Sequence, residues 1–76
     1  MPIQRTLYTS PLEALTALVR SLVIYEQRYK MSSHEFYSRY QGGEMADTAD
    51  FVEWAGDYQQ YLQLKEELEQ RLVATG

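Results

Sequence analysis

Between Pro11 and Lys30 the apolar residues Leu15, Leu18, Leu22, Tyr25 and Tyr29 recur at spacings of three and four, the signature of one helical face. Leu12, Val19 and Val23 broaden that face to the width of a helix lying on a globular core, wider than a coiled-coil seam. Glu13, Thr16, Arg20, Gln27 and Lys30 fall toward water, and Ile24 stands off the stripe. A longer run follows, with Phe51, Trp54, Ala55, Tyr58, Tyr61, Leu62, the stem of Lys65, Leu68 and Leu72 on one side. Phe36, Tyr37 and Tyr40 give a short aromatic face between the two. The pattern predicts an all-α fold, a helix–short helix–long helix hairpin in a single domain over residues 1–76.

Helix punctuation sets the boundaries. Ser10-Pro11-Leu12-Glu13 is a capping box with proline at the first helical position, where a missing N–H costs nothing. Ser32 and Glu35 form a second box, and Met31 and Phe36 have the spacing of a hydrophobic staple. Gly42-Gly43 stops the short helix, and Asp47 is the expected cap of the third, with Asp50 set against the positive end of the helix dipole. The expected helices therefore span 11–30, 33–41 and 48–73, with fraying from Val73 to Gly76. Residues 1–9 read as an extended arm. Gly56, inside the third helix, costs about 1 kcal/mol relative to alanine and is expected to permit close helix approach.

Size bears on stability. A core in a chain of 76 residues rarely supplies more than roughly 3–5 kcal/mol by itself. With no cysteine and one histidine, neither a disulfide frame nor a zinc site is expected to help, which leaves self-association or docking. A third helix of about 38 Å outruns what the first can cover, so a dimeric helical bundle is expected. The lack of cysteine fits a reducing cytoplasm. The most apolar stretch, Ala14–Tyr25, is too short to span a bilayer and is broken by Arg20, and no signal peptide is read at the start.

The formal charge of -4 argues against a nucleic-acid surface. A ribbon–helix–helix arm over residues 1–9 would carry only Arg5 as a base, and the next helix runs on too long for that fold. Glu44, Asp47, Asp50, Glu53 and Asp57 come at near-helical spacing. They read either as a solvated face offsetting the helix dipole or as an acidic patch turned toward a partner. A carboxylate metal site would want a histidine among them, and paired-carboxylate catalysis would want an apolar pocket that so small a chain has little room to enclose. His34 reads as a surface residue. No nucleophile arrangement or phosphate-binding loop is seen, so no cofactor, no metal and no enzymatic activity are expected.

Seven tyrosines, one tryptophan and two phenylalanines are more rings than one small core is expected to hide. Tyrosine joins a large apolar area to a polar tip, which suits interfaces. Some of Tyr37, Tyr40, Tyr58 and Tyr61 are accordingly expected at a subunit or partner contact.

Met31-Ser32-Ser33, Glu35-Phe36-Tyr37, Gly43-Glu44, Asp47, Asp50-Phe51, Glu53-Trp54-Ala55 and Tyr58 together form a pattern. In it the chain resembles a group of small proteins of bacteria and archaea often regarded as antitoxins or toxin–antitoxin-associated proteins. The resemblance covers somewhat more than half the chain, takes no motif from Met1–Tyr29 and brings no catalytic residues. It implies a protein that binds and occludes a partner toxin, with a small RNA-cleaving enzyme as a candidate. The third helix would lay Trp54, Tyr58 and Tyr61 on that partner while Asp50, Glu53 and Asp57 stand in for RNA phosphates. The chain departs from the usual antitoxin plan in lacking a basic DNA-binding module, so operator binding is not expected. The competing expectation is a homodimeric structural or adaptor bundle with no toxin partner.

Overall fold

Ser10 opens the first helix by accepting the Glu13 amide on its hydroxyl at 3.1 Å, with extended backbone at the cap and Pro11 behind it. The computed structural model describes residues 10–75, with side chains to residue 72. They form three helices, α1 Pro11–Tyr29, α2 Ser33–Gln41 and α3 Ala49–Thr75, and no strand. The all-α hairpin order is as the periodicity predicts. The expected arm over residues 1–9 lies outside the described residues.

Three boundaries differ from the sequence reading, each for a local reason. α1 ends at Tyr29, because Lys30 turns into the left-handed region at φ 56° and sends its amide back to the Glu26 carbonyl. α3 is capped by Thr48 and not by Asp47. The Thr48 hydroxyl accepts the Phe51 amide at 3.2 Å and its carbonyl accepts the Val52 amide, while Asp47 accepts the Tyr40 hydroxyl at 2.8 Å. α3 also stays helical to Thr75, past the point where fraying was expected. α2 begins on Ser32, which accepts the Glu35 amide at 3.1 Å; the Glu35 carboxylate reaches Arg39 at 2.8 Å. A carboxylate from α1 reinforces that start, since Glu26 accepts the Ser33 amide at 2.8 Å. At the far end Gly43 takes φ 79°, the left-handed turn that glycine enters without a Cβ clash.

α1 and α3 lie antiparallel, as partners falling along α3 while they rise along α1 show: Ser21 with Asp57, Tyr25 with Glu53, Arg28 with Asp50. In this register Ala14 shares a hollow with Leu64 and Glu67, so α3 continues past the start of α1 by about 12 Å. α2 packs against the other flank of α3. The core between the three helices is Leu22, Tyr25, Phe36, Trp54, Ala55 and Tyr58. Phe36 and Trp54 are fully buried and stack with ring centroids 3.9 Å apart. Inside this apolar shell the Trp54 indole N–H donates to the Ser33 hydroxyl at 2.9 Å, which satisfies two buried polar groups at once.

Four of the nine rings among the described residues are buried, Tyr25, Phe36, Trp54 and Tyr58. Tyr29, Tyr37, Tyr40, Phe51 and Tyr61 pack around the buried four, so all nine rings among the described residues belong to one cluster. Neighbouring rings cover one another at centroid distances between 3.9 and 6.2 Å, and the outer five keep part of their surface exposed. Aliphatic residues are left outside as well. Leu12, Val19 and Val23, read as the wide edge of the α1 core face, are exposed, and so is Leu62 of the α3 stripe. α2, nine residues long, is too short to cover them. Gly56 corrects a further expectation, since a Cβ built there would meet nothing within 4 Å. Among the described residues no helix close-packs on it.

Candidate protein-binding surface

The seam between α1 and α3 is laced by side-chain hydrogen bonds in a regular ladder. The Ser21 hydroxyl donates to Asp57 at 2.8 Å, the Tyr25 hydroxyl to Glu53 at 2.9 Å and the Tyr29 hydroxyl to Asp50 at 2.6 Å. Donors spaced four apart on α1 and acceptors spaced three and four apart on α3 present matching rows. Arg28 adds a second donor to Asp50 at 2.9 Å and lies over the Tyr25 ring.

Electrostatics follow from this arrangement. The Tyr29 hydroxyl, with Arg28 beside it, holds the Asp50 carboxyl below its ordinary range. Burial first, then the hydrogen bond to Glu53 and the charges of Glu53, Asp50 and Asp57, push the Tyr25 hydroxyl up to about 12. Tyr29 and Tyr40 are also raised, chiefly because their protonated hydroxyls are held by Asp50 and Asp47. Of the three ladder acids, Asp50 alone also takes a cation, Arg28, within the ladder.

The eight residues expected to meet a partner separate into four environments. Asp50, Glu53 and Asp57 line the seam with α1. Trp54 and Tyr58 are core residues; Trp54 has no exposed surface, so a partner docked on this fold does not touch it. Tyr37 and Tyr40 flank an open groove between α2 and α3, floored by Ala55 and Gly56 and edged by Val52 and Gln59. Tyr61 stacks on Tyr58 and borders a different groove, shared with Val19 and Val23. The acids and the Tyr37–Tyr40 groove thus occupy different sides of α3.

Sequence reasoning missed the ladder donors Ser21, Tyr25, Arg28 and Tyr29 as partners of the acids. Donors on α1 and acids on α3 at matched spacing were a usable signal once the two helices were paired antiparallel. Ser33 left none, since its hydroxyl is enlisted by Trp54 from a distance of 21 residues.

His34 is exposed, and among the described residues no group of three or more His, Cys, Asp or Glu side chains is placed to hold a metal ion. No helix among them is long and apolar enough to cross a membrane. Compared with protein-family models, with curated proteins and with solved structures, the chain gives no significant match.

Proposed function

We propose that the chain is an antitoxin-like protein that binds a partner toxin and covers its working surface, and that it catalyses nothing itself. A small RNA-cleaving enzyme is the class of partner that fits best. The observation that carries this reading is the row Asp50, Glu53, Asp57. Hydroxyl donors order a carboxylate without cancelling its charge, so Glu53 and Asp57 stand as ordered anions beside Asp50, which Arg28 partly neutralises, with side-chain freedom already given up before a partner arrives. Such a row complements a cleft built to take a phosphate backbone, and the net charge of -4 favours approach to a basic partner. The family pattern through Trp54 and Tyr58 points to the same class.

The test is co-expression with the product of the adjacent gene, followed by assay of that product for RNA cleavage. Glu53→Gln and Asp57→Asn remove charge while keeping an acceptor for Tyr25 and Ser21. They are expected to weaken inhibition by at least about tenfold, as loss of a well-placed interfacial charge does, with the helical signal unchanged. An enzyme equally active with and without this chain overturns the reading.

A second reading, a homo-oligomeric structural or adaptor bundle, is favoured by a separate observation: the exposed aliphatic residues of α1. A monomer mass in solution overturns that one.

A further inference from the structure

Two polar groups lining one hollow are left without a counterpart among the described residues. The hollow, of about 250 Å³, lies where the first turn of α2 meets α1 and α3, and its lining includes Val19, Val23 and Glu26 of α1 and Tyr58 and Tyr61 of α3. Glu26 accepts the Ser33 amide on Oε2 at 2.8 Å, which orders the carboxylate without cancelling its charge. Among the described residues its other oxygen takes no hydrogen bond, and neither oxygen takes an ion pair.

Tyr58 is the second group. It is only 9% exposed, yet among the described residues its hydroxyl has no hydrogen-bond partner, whereas the buried Tyr25 gives its hydroxyl to Glu53. A hydroxyl buried in this way is uncommon in a folded protein and asks for a partner. Burial first, then its neighbours Tyr61 and Glu26, raise its pKa above the ordinary value, so the group is neutral and free to accept as well as donate. The Tyr61 ring stacks on it at 5.9 Å between centroids.

The geometry points to a lysine side chain of a protein partner as the occupant of this hollow. Its methylene stem lies along Val19 and Val23, both exposed aliphatic residues. Its ammonium donates to Glu26 Oε1 and to the Tyr58 hydroxyl, and the tyrosine pair adds aromatic surface that a cation favours. Lysine suits the site better than arginine, because Ser33 already holds one oxygen of Glu26 and a bidentate fork finds only the other. The volume falls below that of ordinary small-molecule pockets and matches a single side chain. The inference deepens the proposed function and rests on it for the bearer of the lysine, a partner with a basic surface.

The experiment is titration of the full chain with Nα-acetyl-lysine methylamide, followed by NMR at the Ser33 amide and the Tyr58 and Tyr61 ring protons. The norleucine analogue supplies the stem without the ammonium, and the arginine analogue supplies the fork. The lysine probe is expected to bind at least about tenfold more tightly than the norleucine probe, as a close charge pair requires, and more tightly than the arginine probe. Glu26→Gln keeps an acceptor for the Ser33 amide and is expected to erase the preference for lysine over norleucine. Tyr58→Phe keeps the ring and is expected to reduce that preference by at least about threefold. Far-UV circular dichroism reports folding; if Glu26→Gln unfolds, Tyr58→Phe decides. Equal binding of the lysine and norleucine probes, tighter binding of the arginine probe, or no shift with any of them overturns the site. None of these results touches the toxin reading, which stands or falls on its own inhibition assay with the site intact or removed.

Discussion

Phe36 of α2 and Trp54 of α3 lie face to face, their ring centroids 3.9 Å apart and their planes 2° from parallel, with neither ring reaching solvent. The pair joins the shortest helix to the longest. It also explains why α2 is held in place although only nine residues long. An isolated helix of that length is marginal in water, so its order comes from this contact and from its caps.

Removing the Phe36 ring is therefore expected to cost about 3–5 kcal/mol, comparable to all that a core of this size provides. Phe36→Ala should show little cooperative melting by circular dichroism at ordinary temperature. Phe36→Leu should retain a transition at lower temperature. A cooperative Phe36→Ala melt close to that of the parent would show that the stack is not what secures α2.

Ser33 makes a second test of the same region. Ser33→Ala leaves the Trp54 indole N–H buried without its acceptor, which costs about 1–3 kcal/mol. In a Trp54→Phe background there is no indole donor to strand, and the serine substitution should cost at least about 1 kcal/mol less. Urea denaturation of the four proteins measures this coupling, and additive effects would refute it.

Gly56 has the opposite sign. It lies inside α3 with a Cβ-sized space open beside it, so Gly56→Ala gains helix propensity and loses no contact. The expected gain is about 1 kcal/mol, or roughly 4–8 °C in Tm for a chain of this length. A lower Tm would mean that this position is used by something that packs against it in solution.

Stability should fall at both ends of the pH scale for different reasons. Asp50 has a lowered pKa in the fold, so its contribution is present above the ordinary carboxylate value of 3.8 and is lost as pH falls through the lower folded value. Tyr25 is the reverse case. Its pKa rises from 10.0 to about 12, so its contribution is complete below pH 10 and disappears between there and about 12. Asp50→Asn should flatten the acid limb of urea midpoint against pH, and Tyr25→Phe the alkaline limb. Tyr29, raised by the same Asp50 carboxylate, contributes to the alkaline limb as well.

Much of the fold was written locally. Ser10 with Glu13, Ser32 with Glu35 and the glycine pair at 42–43 place helix ends by rules that act within four residues, and the structure follows them. The errors arose where a distant residue competed for a local role. Asp47 has the chemistry of a cap, yet the Tyr40 hydroxyl takes it and Thr48 caps instead. The acids at 50, 53 and 57 looked like a free face because their donors sit 21 to 36 residues earlier. How far the rings are hidden is not legible in their number for a related reason. Counting rings says nothing of how far they shield each other, and stacked pairs such as Tyr25 with Trp54 need less wall than the same rings apart. Periodicity, in turn, located the apolar face of α1 but not how much of it α2 would cover.

The ladder along the α1–α3 seam has a consequence for ionic strength. Each of its three hydroxyl rungs joins a neutral group to an anion, and Arg28–Asp50 adds a cation–anion contact at one end. Added electrolyte screens the mutual repulsion of Asp50, Glu53 and Asp57 and barely touches a hydroxyl donor at bonding distance. The helix pair should therefore tighten in concentrated salt, where a seam built of ion pairs would loosen.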